Sequence, residues 1–188
     1  MKIILASASP RRVQLIKQIE GLSVCVIPSN AEENADKSDP ELFVKTLAYQ
    51  KAKEVYDRVG GKVIGADTVV VDGMRILGKP KDDADAKLML SSLCGKTHRV
   101  LTGVCLINDG GEHTESVTCT NVTFKDYDED CINAYVATKS PLDKAGAYGI
   151  QDKELAPLVK SVDGDINNVI GFPVQTVRDM IKTFFIQT

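Results

Sequence analysis

The sequence predicts a mixed α/β fold, a sheet flanked by helices, and three observations predict it. Short runs rich in Val and Ile, such as Lys2–Ala6 and Val63–Val71, read as strands buried on both faces. Segments with apolar residues at helical spacing alternate with them, as in a layered α/β domain. Turn signals at Asp72-Gly73 and Asp109-Gly110-Gly111 place hairpins among the strands, so the sheet cannot be wholly parallel.

The elements follow in order. After the first strand, Ser9-Pro10 puts a capping hydroxyl before a proline at the first helical position. Val13, Leu15, Ile16 and Ile19 then give that helix an apolar face, and Gly21 reads as its stop. Ser38-Asp39-Pro40-Glu41 opens a second helix that runs to about Val59. Val63–Val71 pairs across the Asp72-Gly73 turn with a strand near Met74–Leu77. A third helix fits Asp83–Leu93 and stops at Gly95. His98–Asn108 and Glu115–Phe124 read as a longer antiparallel pair. A helix near Asp128–Thr138, a glycine-rich loop and a tight turn at Asn167–Pro173 precede the last helix, Pro173–Phe185. That helix is amphipathic, with Val174, Val177, Ile181 and Phe184 on one face.

Composition narrows the function classes. The 43% hydrophobic content is that of a globular chain with a real core. With 23 basic and 26 acidic residues the net charge is −3, which argues against a nucleic-acid scaffold but leaves room for a small anionic ligand. No apolar run approaches the ~20 residues a membrane helix needs, so no membrane partner is expected. The three or four apolar residues after Lys2 fall short of a signal sequence. Five cysteines without C-x-x-C spacing suggest packed thiols in a reducing, cytoplasmic setting.

Chemistry concentrates in a few places. Ser7-Ala8-Ser9-Pro10-Arg11-Arg12 sets two arginines in the first turn of a helix, where the helix dipole disfavours cations. An anion held there by backbone N–H groups, hydroxyls and guanidinium forks would remove that conflict; two solvated arginines are the other reading. Asp67-Thr68 lies inside Val-Ile-Gly-Ala-Asp-Thr-Val-Val-Val. A carboxylate buried there must be paired, metal-bound, at the strand's open end or satisfied by backbone amides. Gly65 and Ala66 leave room for a ligand or a backbone to approach.

Lys79, between Gly78 and Pro80, is a fixed lysine suited to a phosphate contact or simply an exposed turn residue. Lys51 falls in the apolar stripe of the second helix with Val44, Leu47, Ala48 and Val55. From there its ammonium either snorkels to water or reaches into a site. Glu33, after a polar run, is either a second metal carboxylate or a solvated loop residue. In Asp143-Lys144-Ala145-Gly146-Ala147-Tyr148-Gly149-Ile150-Gln151, two glycines permit tight turns and the Gln151 amide is able to read a base edge.

Taken together, Leu-Ala-Ser-Ala-Ser-Pro-Arg-Arg, Gly-Ala-Asp-Thr, Gly-Lys-Pro, Asp-Lys-Ala-Gly-Ala-Tyr-Gly-Ile-Gln and Asn-Val-Ile-Gly-Phe-Pro resemble the Maf family, in the same order from Leu5 to Pro173. The resemblance implies a single domain over 1–188, with an elongated twisted sheet and two lobes with an active-site cleft between them. That fold is similar to inosine-triphosphate pyrophosphatases. It implies a nucleoside triphosphate pyrophosphatase that releases the monophosphate and pyrophosphate, and often a homodimer. By position, Asp67 matches the family's proton acceptor. Ser7, Arg11, Arg12, Glu33, Lys51, Lys79 and Gln151 match its other polar site positions. Arg12, Thr68 and Gln151 match the positions that separate its branches, here in the combination of the dTTP and UTP branch. The implied cofactor is Mg²⁺ or Mn²⁺ on Asp67 and Glu33, with Arg11, Arg12, Lys51 and Lys79 on the phosphates. A nucleotide-binding regulator without turnover and a γ-phosphatase giving the diphosphate are the rival readings.

Overall fold

The computed structural model describes residues 1–186. In chain order its elements are β1 (Lys2–Leu5), α1 (Pro10–Ile16), β2 (Ser23–Val26), α2 (Pro40–Val59), β3 (Val63–Asp72), β4 (Arg75–Leu77), α3 (Asp83–Leu93), β5 (Thr97–Ile107), β6 (His113–Phe124), α4 (Glu129–Ala137), β7 (Val159–Asp163), α5 (Ile166–Ile170) and α6 (Val174–Phe184). The strands form one mixed, seven-stranded sheet in the order β2-β1-β3-β5-β6-β7, with β4 on β3. β1 runs parallel to both β2 and β3, whereas β4 and β7 are antiparallel to their neighbours. Among the described residues no helix is long and apolar enough to cross a membrane.

The chain divides into two compact units, and strands β3, β5 and β6 contribute residues to both. The first comprises residues 1–68, 102–118 and 171 onward. Its core includes Ala6, Ala48, Ala52, Val55, Val63, Cys105 and Ile107. Small residues dominate because α2 lies almost in contact with the sheet. A Cβ built on Gly65 would stand 2.3 Å from the Ala48 carbonyl oxygen, and one on Gly103 would stand 2.3 Å from that of Val44. Bare backbone at these two strand positions lets the helix settle at this depth. Asp39 caps α2, its carboxylate accepting from the N–H groups of Glu41 and Leu42 at 2.9 and 3.2 Å.

The second unit comprises residues 69–101 and 119–170. Its core joins Val70 and Leu77 to Met89, Leu90 and Leu93 of α3, Ile132, Tyr135 and Val136 of α4, and Phe124. Burial of each large aliphatic side chain stabilises the fold by about 1.5–3 kcal/mol. Within this core Phe124, Tyr148 and His98 stack edge to face, with ring centroids 5.0–5.3 Å apart. His98 Nε2 and the Tyr148 hydroxyl share a 2.8 Å hydrogen bond. Burial pushes the imidazole pKa down to about 4, with the Asp72 charge opposing weakly, so the ring is neutral.

Several elements differ from the sequence expectation. Helix α1 ends at Ile16, and 3₁₀-type bonds from Gln18 N to Leu15 O and from Ile19 N to Ile16 O tighten its last turn. The first hairpin turns on Gly73-Met74, because Asp72 still pairs with Arg75. Gly73 alone has a positive φ, +59°, as a type II′ turn requires. Strands β2 and β7, at the ends of the strand order, are absent from the sequence expectation; both are only four or five residues long and mostly exposed, although β2 does carry Val24, Cys25 and Val26. The turn expected at Asn167–Pro173 begins as the five-residue α5, started by Asp165 accepting from Asn167 N at 2.8 Å. Phe185, the residue that ends α6, rather than Phe184 joins Val174, Val177 and Ile181 in the core.

Candidate active site

In the first unit, β3 carries Asp67 in an otherwise apolar stretch, and the residue is 9% exposed. Its carboxylate is paired. The Lys51 ammonium donates to Asp67 Oδ1 at 2.6 Å and meets Glu33 Oε1 at 2.7 Å. Side-chain periodicity explains the meeting. Gly65 and Asp67 are two apart and face the same side of the sheet, while Lys51 shares the helix face of Ala48 and Ala52, which rest on Gly65. The lysine in the apolar stripe therefore turns to these two carboxylates rather than snorkelling to water. The Lys51 and Asp67 side chains are largely buried, 16% and 12% exposed, whereas Glu33 is open to solvent at 60%.

A second cluster forms around α1. Ser9 caps the helix, accepting from Arg12 N, and Ser7, buried beneath it, accepts from Ser9 N at 3.2 Å. The Arg12 guanidinium donates to Gly171 O at 2.9 Å, to Thr68 Oγ1 at 3.1 Å and to Ser7 Oγ at 3.5 Å. Thr68 in turn shares a 2.9 Å bond with Thr102 Oγ1. Arg12 is thus aimed by neutral acceptors, and no carboxylate takes its fork in these contacts. Desolvation lowers its pKa and the Arg11 charge adds to that, while Asp67 and Glu33 oppose it. Starting from so high a value the group stays cationic, with neutral groups as its direct hydrogen-bond acceptors and the two carboxylates acting on it at longer range.

The structure therefore brings together Glu33, Lys51 and Asp67, and beside them Ser7, Arg12 and Thr68, with the Asp67 and Glu33 charges felt at Arg12. Arg11 is half-buried next to Arg12. Lys79 and Gln151 stand on the second unit, both exposed. There the Gly146 N–H donates to Gly78 O at 3.0 Å, fastening the turn that carries Lys79 to the loop that carries Gln151.

Carboxylate oxygens suit a hard divalent cation, and Asp67 and Glu33 already converge on one positive charge, the Lys51 ammonium. Among the described residues no group of three or more His, Cys, Asp or Glu side chains is placed to hold a metal. Two carboxylates fit an ion whose remaining ligands are water and phosphate oxygens, the habit of Mg²⁺.

Sequence reasoning missed two participants. Thr102 orients Thr68 from the neighbouring strand, and the Gly171 carbonyl takes the Arg12 Nε–H. A backbone acceptor leaves no side-chain signal, although the glycine, at φ +119°, hints at a special backbone position.

Comparison with known proteins identifies the family. The family model described as Maf-like protein matches residues 2–184. A dTTP/UTP pyrophosphatase of Thermococcus gammatolerans is 49% identical over 176 residues, which cover 93% of this chain and 92% of that protein. The dTTP/UTP pyrophosphatase of Acetivibrio thermocellus is 46% identical over 194 residues, covering 98% and 96%. Among solved structures, the Staphylococcus aureus Ham1 protein aligns over 97% of this chain and 99% of its own, with a TM-score of 0.59 at 14% identity, a likeness of fold alone. With a family model spanning nearly its whole length and relatives approaching half identity, the chain belongs to the Maf-like protein family.

Proposed function

We propose that this protein is a nucleoside triphosphate pyrophosphatase that hydrolyses dTTP and UTP to the nucleoside monophosphate and pyrophosphate. The observation that carries the reading is the buried Asp67 carboxylate, held at 2.6 Å by Lys51 and facing the same ammonium as Glu33. Relatives named dTTP/UTP pyrophosphatase, 46–49% identical over more than nine-tenths of both chains, support the substrate class.

In this reading Asp67 accepts the proton of a water that attacks the α-phosphorus, and the bond from that phosphorus to the bridging oxygen breaks to release pyrophosphate. Lys51 fixes the carboxylate's direction and stabilises phosphate oxygens. Arg11, Arg12 and Lys79 offer further cationic donors where charge accumulates. Asp67 and Glu33 would hold Mg²⁺ or Mn²⁺, which when bound neutralises charge on the triphosphate. Ser7 and Thr68 keep Arg12 in place, and Gln151 meets the base. Residues 1–188 act as one domain, supported by the unbroken family match and by three strands common to both units. A cytoplasmic homodimer is part of the reading by family resemblance.

The test is a product analysis with Mg²⁺ on dTTP, UTP, CTP, GTP and 7-methyl-GTP. Monophosphate with pyrophosphate from dTTP and UTP is the expected outcome. Diphosphate with phosphate would instead establish a γ-phosphatase, and binding without turnover a regulator.

A further inference from the structure

The second unit contains a small polar network that the chemistry above does not use. Residues 149–152 form a turn closed by a 3.0 Å bond from Asp152 N to Gly149 O, and Gln151 occupies its third position. Both ends of this turn are held by one atom. The Tyr135 hydroxyl, buried on α4, accepts from Gly149 N at 2.9 Å and donates to Asp152 Oδ2 at 2.6 Å. The same carboxylate oxygen accepts from the Ser140 hydroxyl at 2.8 Å and lies 3.7 Å from the Lys144 ammonium. Gly149 allows this closeness, since a Cβ there would stand 2.8 Å from Asp152 Oδ2 and 2.6 Å from Lys144 Cε.

We propose that Tyr135, acting with Asp152, is a positioning residue for Gln151 and through it sets the enzyme's base selectivity; this rests on the reading of Gln151 as the base contact. A glutamine amide discriminates bases only if its donor and acceptor ends arrive in a fixed orientation, and an exposed side chain with three rotatable bonds has no such preference of its own. Its backbone must supply the orientation. A turn secured at both ends to a buried hydroxyl fixes the direction in which Gln151 leaves the chain. Removing that hydroxyl leaves the Gly149 N–H and the Asp152 carboxylate each short of a partner, and the turn relaxes.

Steady-state kinetics of the full chain with Mg²⁺ on dTTP, CTP and GTP test this in wild type, Tyr135→Phe, Gln151→Ala and the double variant. Tyr135→Phe should lower the kcat/KM preference for dTTP over the other two by about three- to tenfold, the value of one hydrogen bond, mostly through KM. Adding Tyr135→Phe to Gln151→Ala should lower it no further, because the tyrosine acts only through that side chain; a tyrosine that merely stabilises the fold would shift thermal unfolding equally in both backgrounds and leave the preference untouched. Should Tyr135→Phe fail to fold, Asp152→Asn is measured in the same way and is expected to relax the same preference. Unchanged preference in these variants beside a relaxed Gln151→Ala overturns the positioning role alone. Unchanged preference in Gln151→Ala overturns the base-contact reading, and the proposal with it.

Discussion

The two units of this chain handle polarity in opposite ways. The first gathers charge: Lys51 lies between Asp67 and Glu33, and Arg12 is fastened to neutral acceptors within the field of the same two carboxylates. The second surrounds what it buries with local partners. His98 is uncharged among aromatic rings, Asp152 is capped by two hydroxyls, and Asn168 donates from a fully buried position to Val100 O and Thr120 Oγ1. Charge that is paired but incompletely compensated suits reaction with an anion. Groups that carry no charge, or share it with local partners, suit holding loops in shape.

If the charged cluster is the reactive one, Asp67→Asn should lower kcat by on the order of 10²–10⁴-fold while leaving the circular dichroism spectrum and unfolding midpoint close to wild type. Near-wild-type turnover would assign the chemistry elsewhere. The neutral region makes its own prediction through pH. Native His98 binds its proton only near pH 4, whereas an unfolded histidine does so near 6.5. Its contribution is therefore intact above about pH 6.5 and is lost as pH falls toward 4, by about 3 kcal/mol. Denaturant titrations at pH 7 and 4.5 should show a shallower acid loss in His98→Gln, which keeps a polar partner for Tyr148; an equal loss would mean that His98 is not the group responsible.

A smaller effect is expected where packing rather than charge sets the first unit. Gly65→Ala would drive a methyl into the α2 backbone, costing about 1–3 kcal/mol of stability. It should also reduce turnover, because it displaces Lys51 from Asp67. Stability lost without activity lost would separate the helix from the site. The mildest change is Asp39→Ala, which removes the α2 cap and should cost about 1 kcal/mol in a urea titration with kcat unaltered.

Much of this was legible in the sequence because it depends on local rules. The Ser9-Pro10 and Asp39-Pro40 starts, the long strand pair and the amphipathic last helix follow from capping and periodicity, and all are present. Lys51 in an apolar stripe and Asp67 in an apolar strand were both conspicuous as charges in the wrong surroundings, and each explains the other. What stayed hidden depends on long-range neighbours. The Arg12 bond to Gly171 spans 159 positions, and the Thr68 bond to Thr102 spans 34. Edge strands such as β2 and β7 take their order from pairing rather than from an apolar face. Tyr135 has the spacing of an ordinary core aromatic; its hydroxyl matters only because Gly149 and Asp152 fold back onto it.

The near contact of α2 with Gly65 and Gly103 also bears on how sequences of this kind are free to drift. At those two positions any side chain, however small, lifts the helix from the sheet, and the distance a lysine must bridge from position 51 changes with it. Neither glycine has a side chain to offer the chemistry. A survey of substitutions should nonetheless find them as intolerant as the ionisable residues, and invariance at such sites would record a fixed spacing rather than participation in the chemistry.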